Sequence, residues 1–397
     1  MPRNRLSALA LAAGLAALST TAYADDSGQK DEEGDYRHFL QAGYQVAYVF
    51  PMNDFIRGEN QAGEPITSLQ AGRLEFAWQT TGSKRWHQIW NYPAFGIGHT
   101  TIDYFNEDEV GTPSAVYGFV ALPVKRWKRW TFTIAPGFGI SYGWKPFDPV
   151  SNPYNQSIGA FKAAFIDINT HFTYFMNPHW DLVLALPAYH FSNGGTQKPN
   201  NGFNQIGPMA SLRYKFEADP NRFRHWDDIP AFKGRNEIVV TGAWGLRNIK
   251  LDPSKIENAI YANADFSVYT LSAAWLRQSG YKTRWGAGVD LVYDGAVQAQ
   301  ADYDSGDQVT VEVSGFDQTR VGLFGAYEYV IKDLAILANL GYTVRQTGYD
   351  TGLPRLYQRV GFRYTLPRDW LLGLSVRFKD FSSADHLEWT VGHRFRL

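Results

Sequence analysis

The segment "RWTFTIAPGFGISYG" places Trp130, Phe132, Ile134, Pro136, Phe138, Ile140 and Tyr142 at one parity, and Thr131, Thr133, Ala135, Gly137, Gly139 and Ser141 at the other. A period of two that sets large apolar residues against small or polar ones marks a strand with two unlike faces. "QAGYQVAYVF" repeats the pattern, with Ala42, Tyr44, Val46, Tyr48 and Phe50 together. The connections alternate too. Those near 51–65, 103–113, 144–158 and 193–202 are long and polar, whereas "GSK", "KRWK" and "NP" are short. Residues 38–217 therefore read as about eight strands with extended loops at one end and tight turns at the other, the habit of a membrane barrel.

After a non-periodic stretch, "EADPNRFRHWDDIPAFKGRN", strand-like runs resume near 236–247, 259–277, 282–297, 316–331, 334–345, 355–366, 370–379 and 387–397. "WDLVLALPAYHFS" aligns without a gap on "WLLGLSVRFKDFS", setting Trp180 against Trp370, Leu184 against Leu374 and His190 against Asp380. The pattern predicts an all-β, antiparallel outer-membrane barrel of about 16 strands from a duplicated eight-strand unit. One wide barrel is preferred, because Trp226 and Phe232 give the linker a packed character. Two eight-strand barrels in tandem are the alternative. The chain divides accordingly into 25–217, a linker at 218–235, and a degenerate second half at 236–397.

Composition narrows the setting. Residues 1–24 form a basic start, a short Leu/Ala-rich run and Ala22-Tyr23-Ala24 before Asp25, the plan of a secretory signal peptide. Beyond it no apolar run reaches the length of a transmembrane helix. The chain has no cysteine, which excludes disulfides and thiolate chemistry, and a net charge of -1, which argues against a nucleic-acid partner. An aromatic content of 16% beside a mean hydropathy of -0.33 suits alternating lipid-facing and lumen-facing positions. An exported chain of this kind is expected in the outer membrane of a Gram-negative cell. A soluble all-β protein is the plainer alternative.

The chemistry concentrates in "AYHFSNGGTQKPNNGFNQIG". On its strand, Leu182, Leu184, Leu186, Ala188, His190 and Ser192 share the outward parity, so an imidazole and a hydroxyl face the lipid near the outer rim. Polar groups in that position are costly and suggest function. Asn204 has outward parity on the following strand. A serine needs a base, and the base an orienting group. His190 can take the Ser192 proton, Asn204 can hold the other ring nitrogen, and the amides of Asn193 and Gly194 or the Asn200 side chain can stabilise an oxyanion. A headgroup-level polar cap is the unreactive alternative.

The block His190-Phe191-Ser192-Asn193, then Lys198-Pro199-Asn200 and Gly202, resembles the PagL-type lipid A 3-O-deacylases, outer-membrane barrels also called acyloxyacyl hydrolases, over residues 38–217. The resemblance implies Ser192 as nucleophile, His190 as base and Asn200 as oxyanion donor. It implies an ester-linked hydroxyacyl chain of lipid A as substrate, lipopolysaccharide of the outer leaflet as partner, and no metal or other cofactor. It also implies a glutamate as third member, where this chain has Asn204. In the second half "DFS" replaces "HFS", so Ser382 has no histidine beside it and that copy reads as structural. Two other functions remain open at this level. One is a passive channel, with Arg73, Glu75, Arg213 and Lys215 at inward parity. The other is an adhesin working through the long loops. Assembly into a homo-oligomer is also open.

Overall fold

In the computed structural model the described residues are 34–194, 197–217, 223–249, 264–306, 312–346, 353–379 and 383–397. The expected signal peptide lies outside them, as do Asp380 and Ser382. The first half contains β1 (Tyr36–Val49), β2 (Ser68–Thr80), β3 (Ala94–Asp103), β4 (Gly111–Arg126), β5 (Trp130–Trp144), β6 (Lys162–Phe175), β7 (Trp180–Ser192), β8 (Phe203–Ile206) and β9 (Met209–Lys215). β8 and β9 are one strand broken at Gly207-Pro208: proline has no amide to offer the ladder, and a Cβ at position 207 would lie 2.1 Å from the Val46 carbonyl oxygen. β1 pairs with β2 on one edge and with β8 and β9 on the other. β7 also pairs with β8 and β9, so the first barrel closes at eight strands.

The second half runs β10 (Arg235–Arg247), β11 (Phe266–Gln278), β12 (Thr283–Asp294), β13 (Thr319–Ile331), β14 (Leu334–Arg345), β15 (Leu356–Thr365), β16 (Trp370–Lys379) and β17 (Ser383–Arg396). It closes on itself through β10 and β17. Among the described residues the expected total of about sixteen strands holds, but the preferred single wide barrel is corrected to two small ones. The reason lies in the ladders: the last strand of each half bonds to the first strand of the same half, leaving no edge for the other. Trp226 and Phe232 are packed, as expected, but they tie the linker to both barrels. Trp226 Nε1 donates to the Gly82 carbonyl at 2.7 Å, while the Phe232 ring meets Tyr281 at 5.0 Å. The aligned Trp180 and Trp370 each open the seventh strand of their own barrel.

Parity is kept along most of the strands and is interrupted by irregularities in the β4–β5, β13–β14 and β16–β17 ladders. On β5 the Thr131, Thr133 and Ser141 side chains are buried, while Trp130, Ile134 and Tyr142 are exposed on the wall. Arg73, Glu75, Arg213 and Lys215 do point inward, but each is engaged. Arg73 Nη1 meets Asp167 at 2.8 Å, Gln41 Nε2 donates to Glu75 at 2.9 Å, Arg213 Nε donates to Gln41 Oε1, and Lys215 pairs with Asp181. The second lumen holds a ladder of ion pairs: Arg284 with Glu237 and Glu328, Arg359 with Asp290 and Glu388, and Arg247 and Arg320 with Asp294. An eight-strand barrel is only wide enough for its own side chains. The lumens are therefore packed interiors, which removes the wide duplicated pore from consideration.

One short turn is more elaborate than expected. The joint at "GSK" carries a one-turn helix, α1 (Arg85–Ile89), too short for any hydrophobic period to reveal. The Gly82 amide donates to His87 Nδ1 at 3.1 Å, and burial holds this imidazole neutral, its pKa brought down to about 3. Two predictions follow from the packed lumens. Asp167→Ala removes the nearer of the two carboxylates paired with Arg73, leaving Glu75 at 3.6 Å, and is expected to lower stability by about 3 kcal/mol, read as loss of the heat-modifiable gel shift at lower temperature. In planar bilayers the protein is expected to give no porin-sized conductance steps.

Candidate functional site

β7 carries the site. Phe191 points inward and is fully buried, with its ring 5.2 Å from Phe165 and 5.0 Å from Trp144. Phe203, from the strand next door, stacks on Trp144 at 5.4 Å. This aromatic plug sits at the long-loop end of the barrel and fixes the turn of the strand about its own axis. Because side chains alternate, seating Phe191 inside sends His190 and Ser192 outside. Exposure of Trp180, Leu184 and Leu186 on the same parity shows the lipid-facing stripe they belong to.

His190 and Asn204 are direct cross-strand partners. Their side chains meet at 2.6 Å between Nδ1 and Asn204 Oδ1. With a carbonyl oxygen as acceptor, the imidazole proton belongs on Nδ1, leaving Nε2 as the basic nitrogen. Gly202 makes this closeness possible. Its φ is +70°, and a Cβ there would lie 3.0 Å from His190 Cε1 and 2.5 Å from the Phe191 carbonyl oxygen.

Ser192 ends β7 and is only 7% exposed despite its outward parity, because the following loop returns over it. Asn200 Nδ2 donates to Ser192 Oγ at 2.9 Å, and the Gly194 amide donates to the same atom at 3.1 Å. Gly194 has a φ of +69°, the left-handed turn that aims its N–H back at the hydroxyl. A hydroxyl has two acceptor positions and one donor. Both acceptor positions are filled, so the O–H proton is the group's remaining valence. Among the described residues no hydrogen bond joins it to His190 Nε2, which lies two residues back on the same face; such contacts are commonly long before substrate arrives.

The third expected oxyanion donor is placed differently. The Asn193 amide donates to Asn200 Oδ1 at 2.9 Å, so it holds the Asn200 side chain in the orientation that presents Nδ2 to Ser192. Asn193 is thus a support for a donor, and Asn200 and Gly194 are the two amides that reach Oγ. The loop is braced from outside by residues that carried no signal in the sequence. The Gly202 amide donates to the Ser157 carbonyl at 2.9 Å and the Asn201 amide to the Gln156 carbonyl at 3.2 Å, while Asn53 Nδ2 donates to Ser157 Oγ at 2.9 Å. The site is a hydroxyl with two amide donors, beside an imidazole with an oriented tautomer, on the outer wall near the long loops. That is the equipment of acyl transfer.

Residues 71–213 match the family model described as Lipid A 3-O-deacylase (PagL), and residues 236–397 match the one described as Acyloxyacyl hydrolase, C-terminal domain. No curated protein sequence matches the chain. Among solved structures, Neisserial surface protein A is 11% identical and covers 46% of this chain and 100% of its own, with a TM-score of 0.32. A mutant porin of Rh. blastica is 12% identical, with 91% and 100% covered and a TM-score of 0.19. The toluene transporter TodX of Pseudomonas putida is 10% identical, with 92% and 90% covered and a TM-score of 0.18. Likenesses this distant add nothing to the strand pairing, on which the fold stands. The two family matches together account for both barrels: the first half of the chain belongs to the PagL-type lipid A 3-O-deacylase family and is continued by an acyloxyacyl hydrolase C-terminal domain.

Proposed function

We propose that this outer-membrane barrel protein is a serine esterase that removes an ester-linked (hydroxy)acyl chain from lipid A in the outer leaflet. The observation that carries the reading is the filled valence of Ser192: two amide donors on Oγ leave the proton as the group to be taken, and His190 is the base on the same face. Ser192 Oγ attacks the acyl carbonyl carbon while its proton passes to His190 Nε2, and the carbonyl electron pair moves to oxygen. Asn200 Nδ2 and the Gly194 amide are near enough to follow that charge as Oγ gives up its lone pair to the new bond. Collapse expels the sugar oxygen, which takes the proton from His190. Water then repeats the sequence on the acyl-enzyme and releases the fatty acid.

Asn204 holds the Nδ1–H in place, which secures the tautomer, but it brings no negative charge to the imidazolium formed in the transition state. The outward placement puts these groups where an acyl ester of the outer leaflet meets them, with the acyl chain beside the exposed Leu184 and Leu186.

Lipid A from cells producing the protein is expected to lose a hydroxyacyl chain by mass spectrometry. With Ser192→Ala the release of fatty acid from purified lipopolysaccharide falls by about four to six orders of magnitude. Unchanged release in that variant rules out Ser192 as nucleophile. Asn204→Glu supplies the missing charge and is expected to raise kcat by on the order of tenfold, with a fall rather than a rise counting against the orienting role given to position 204.

A further inference from the structure

The two barrels touch along a line that climbs the wall. At the short-turn end, Trp90 Nε1 donates to the Val330 carbonyl at 2.7 Å, and Trp90, Val120 and Ile331 form one buried cluster. Midway, Phe138 on β5 meets Phe362 on β15, rings 5.0 Å apart and nearly perpendicular. Phe138 shares a ladder row with the site, since it is paired with Ile166, and Ile166 with His190. At the long-loop end, an atom placed at the Cβ position of Gly194 would lie 2.8 Å from Leu387 Cγ and 2.9 Å from its Cδ1.

Leu387 belongs to β17, on the parity of Trp389 and Val391, and faces outward from the second barrel. Its neighbour across the ladder is Val376. Val376 has the outward parity of Leu372, yet it is 9% exposed where Leu372 is 46% exposed. The top of the β16–β17 wall is therefore covered, although it lies on the stripe that elsewhere meets lipid. The exposed Lys198 of this loop lies within the electrostatic reach of the second barrel: beside desolvation, Lys379 and Arg247 lower its ammonium below the ordinary lysine value and Asp385 opposes them.

We propose that the second barrel is a working part of the deacylase site: Leu387 is a positioning residue that presses on Gly194 and holds its left-handed turn, so that the amide stays directed at Ser192 Oγ. The inference rests on the esterase reading above. The physical basis is local. Gly194 has no side chain of its own to pack, and its amide is bonded to Ser192 Oγ on one side. Leu387 supplies the packing on the other side. A donor displaced by even a fraction of its hydrogen-bond length no longer follows the charge on the carbonyl oxygen. Because the effect acts on the transition state, it is expected in kcat and not in KM.

The test compares full-length Leu387→Ala, Leu387→Met and Leu323→Ala with the unaltered protein, each refolded and checked by heat-modifiable migration, on purified lipopolysaccharide and on soluble fatty-acyl nitrophenyl esters. Leu323 is an exposed, outward residue of β13 and has no part in the site. Leu387→Ala is expected to lower kcat by on the order of tenfold to a hundredfold with KM unchanged. Leu387→Met, which refills the volume, restores most of it, and Leu323→Ala leaves it as it was. A Leu387→Ala protein with unaltered kcat overturns the inference, as does one in which Leu323→Ala loses as much. If the unaltered protein releases no fatty acid from either substrate, the esterase reading itself falls and takes the inference with it.

Discussion

The arrangement depends on one constraint: a strand in a closed barrel has no freedom to turn over. The backbone of β7 is paired along most of its length with β6 on one side and with β8 and β9 on the other, so a residue's parity decides whether it meets the lumen or the membrane. Phe191 fixes that parity by entering the aromatic cluster with Phe165, Trp144 and Phe203. The imidazole and the hydroxyl on either side of it then have one place to be. A slip of a single residue would put both into the interior and turn Phe191 out of the aromatic cluster onto the wall.

Much of this is legible in the residues themselves. The two-residue period places His190, Ser192 and Asn204 on one surface, and the return of β8 beside β7 makes the His190–Asn204 pair direct. The number of barrels is not legible, because the hairpins within each half and the linker between the halves read the same in either architecture. What decides closure is which strand the last one bonds to, and strands β9 and β17 carry no mark of their partner. The packed aromatics of the linker mislead for the same reason: Trp226 and Phe232 are half-buried against different barrels, and packing alone does not say against which.

The finer geometry of the site divides in the same way. Gly194 and Asn200 can be read as donors because glycine and asparagine suit that role. Asn193 cannot be told from them, since its amide becomes a support only through the position of Asn200 Oδ1. The bracing contacts from Gln156 and Ser157, and the pressure of Leu387, come from segments far along the chain and have no local pattern. The prediction for Asn204→Glu shows the reverse case, in which a single departure in the residues states what is missing before any geometry is known.

Leu387 and Ser192 are carried by one polypeptide, separated by the linker and most of a barrel. Were the covering wall supplied by a separate subunit, the fraction of complete sites would vary with how densely the protein populated the membrane. With both walls in one chain the effective local concentration is set by tethering, and completeness is the same for a lone molecule as for a crowded patch.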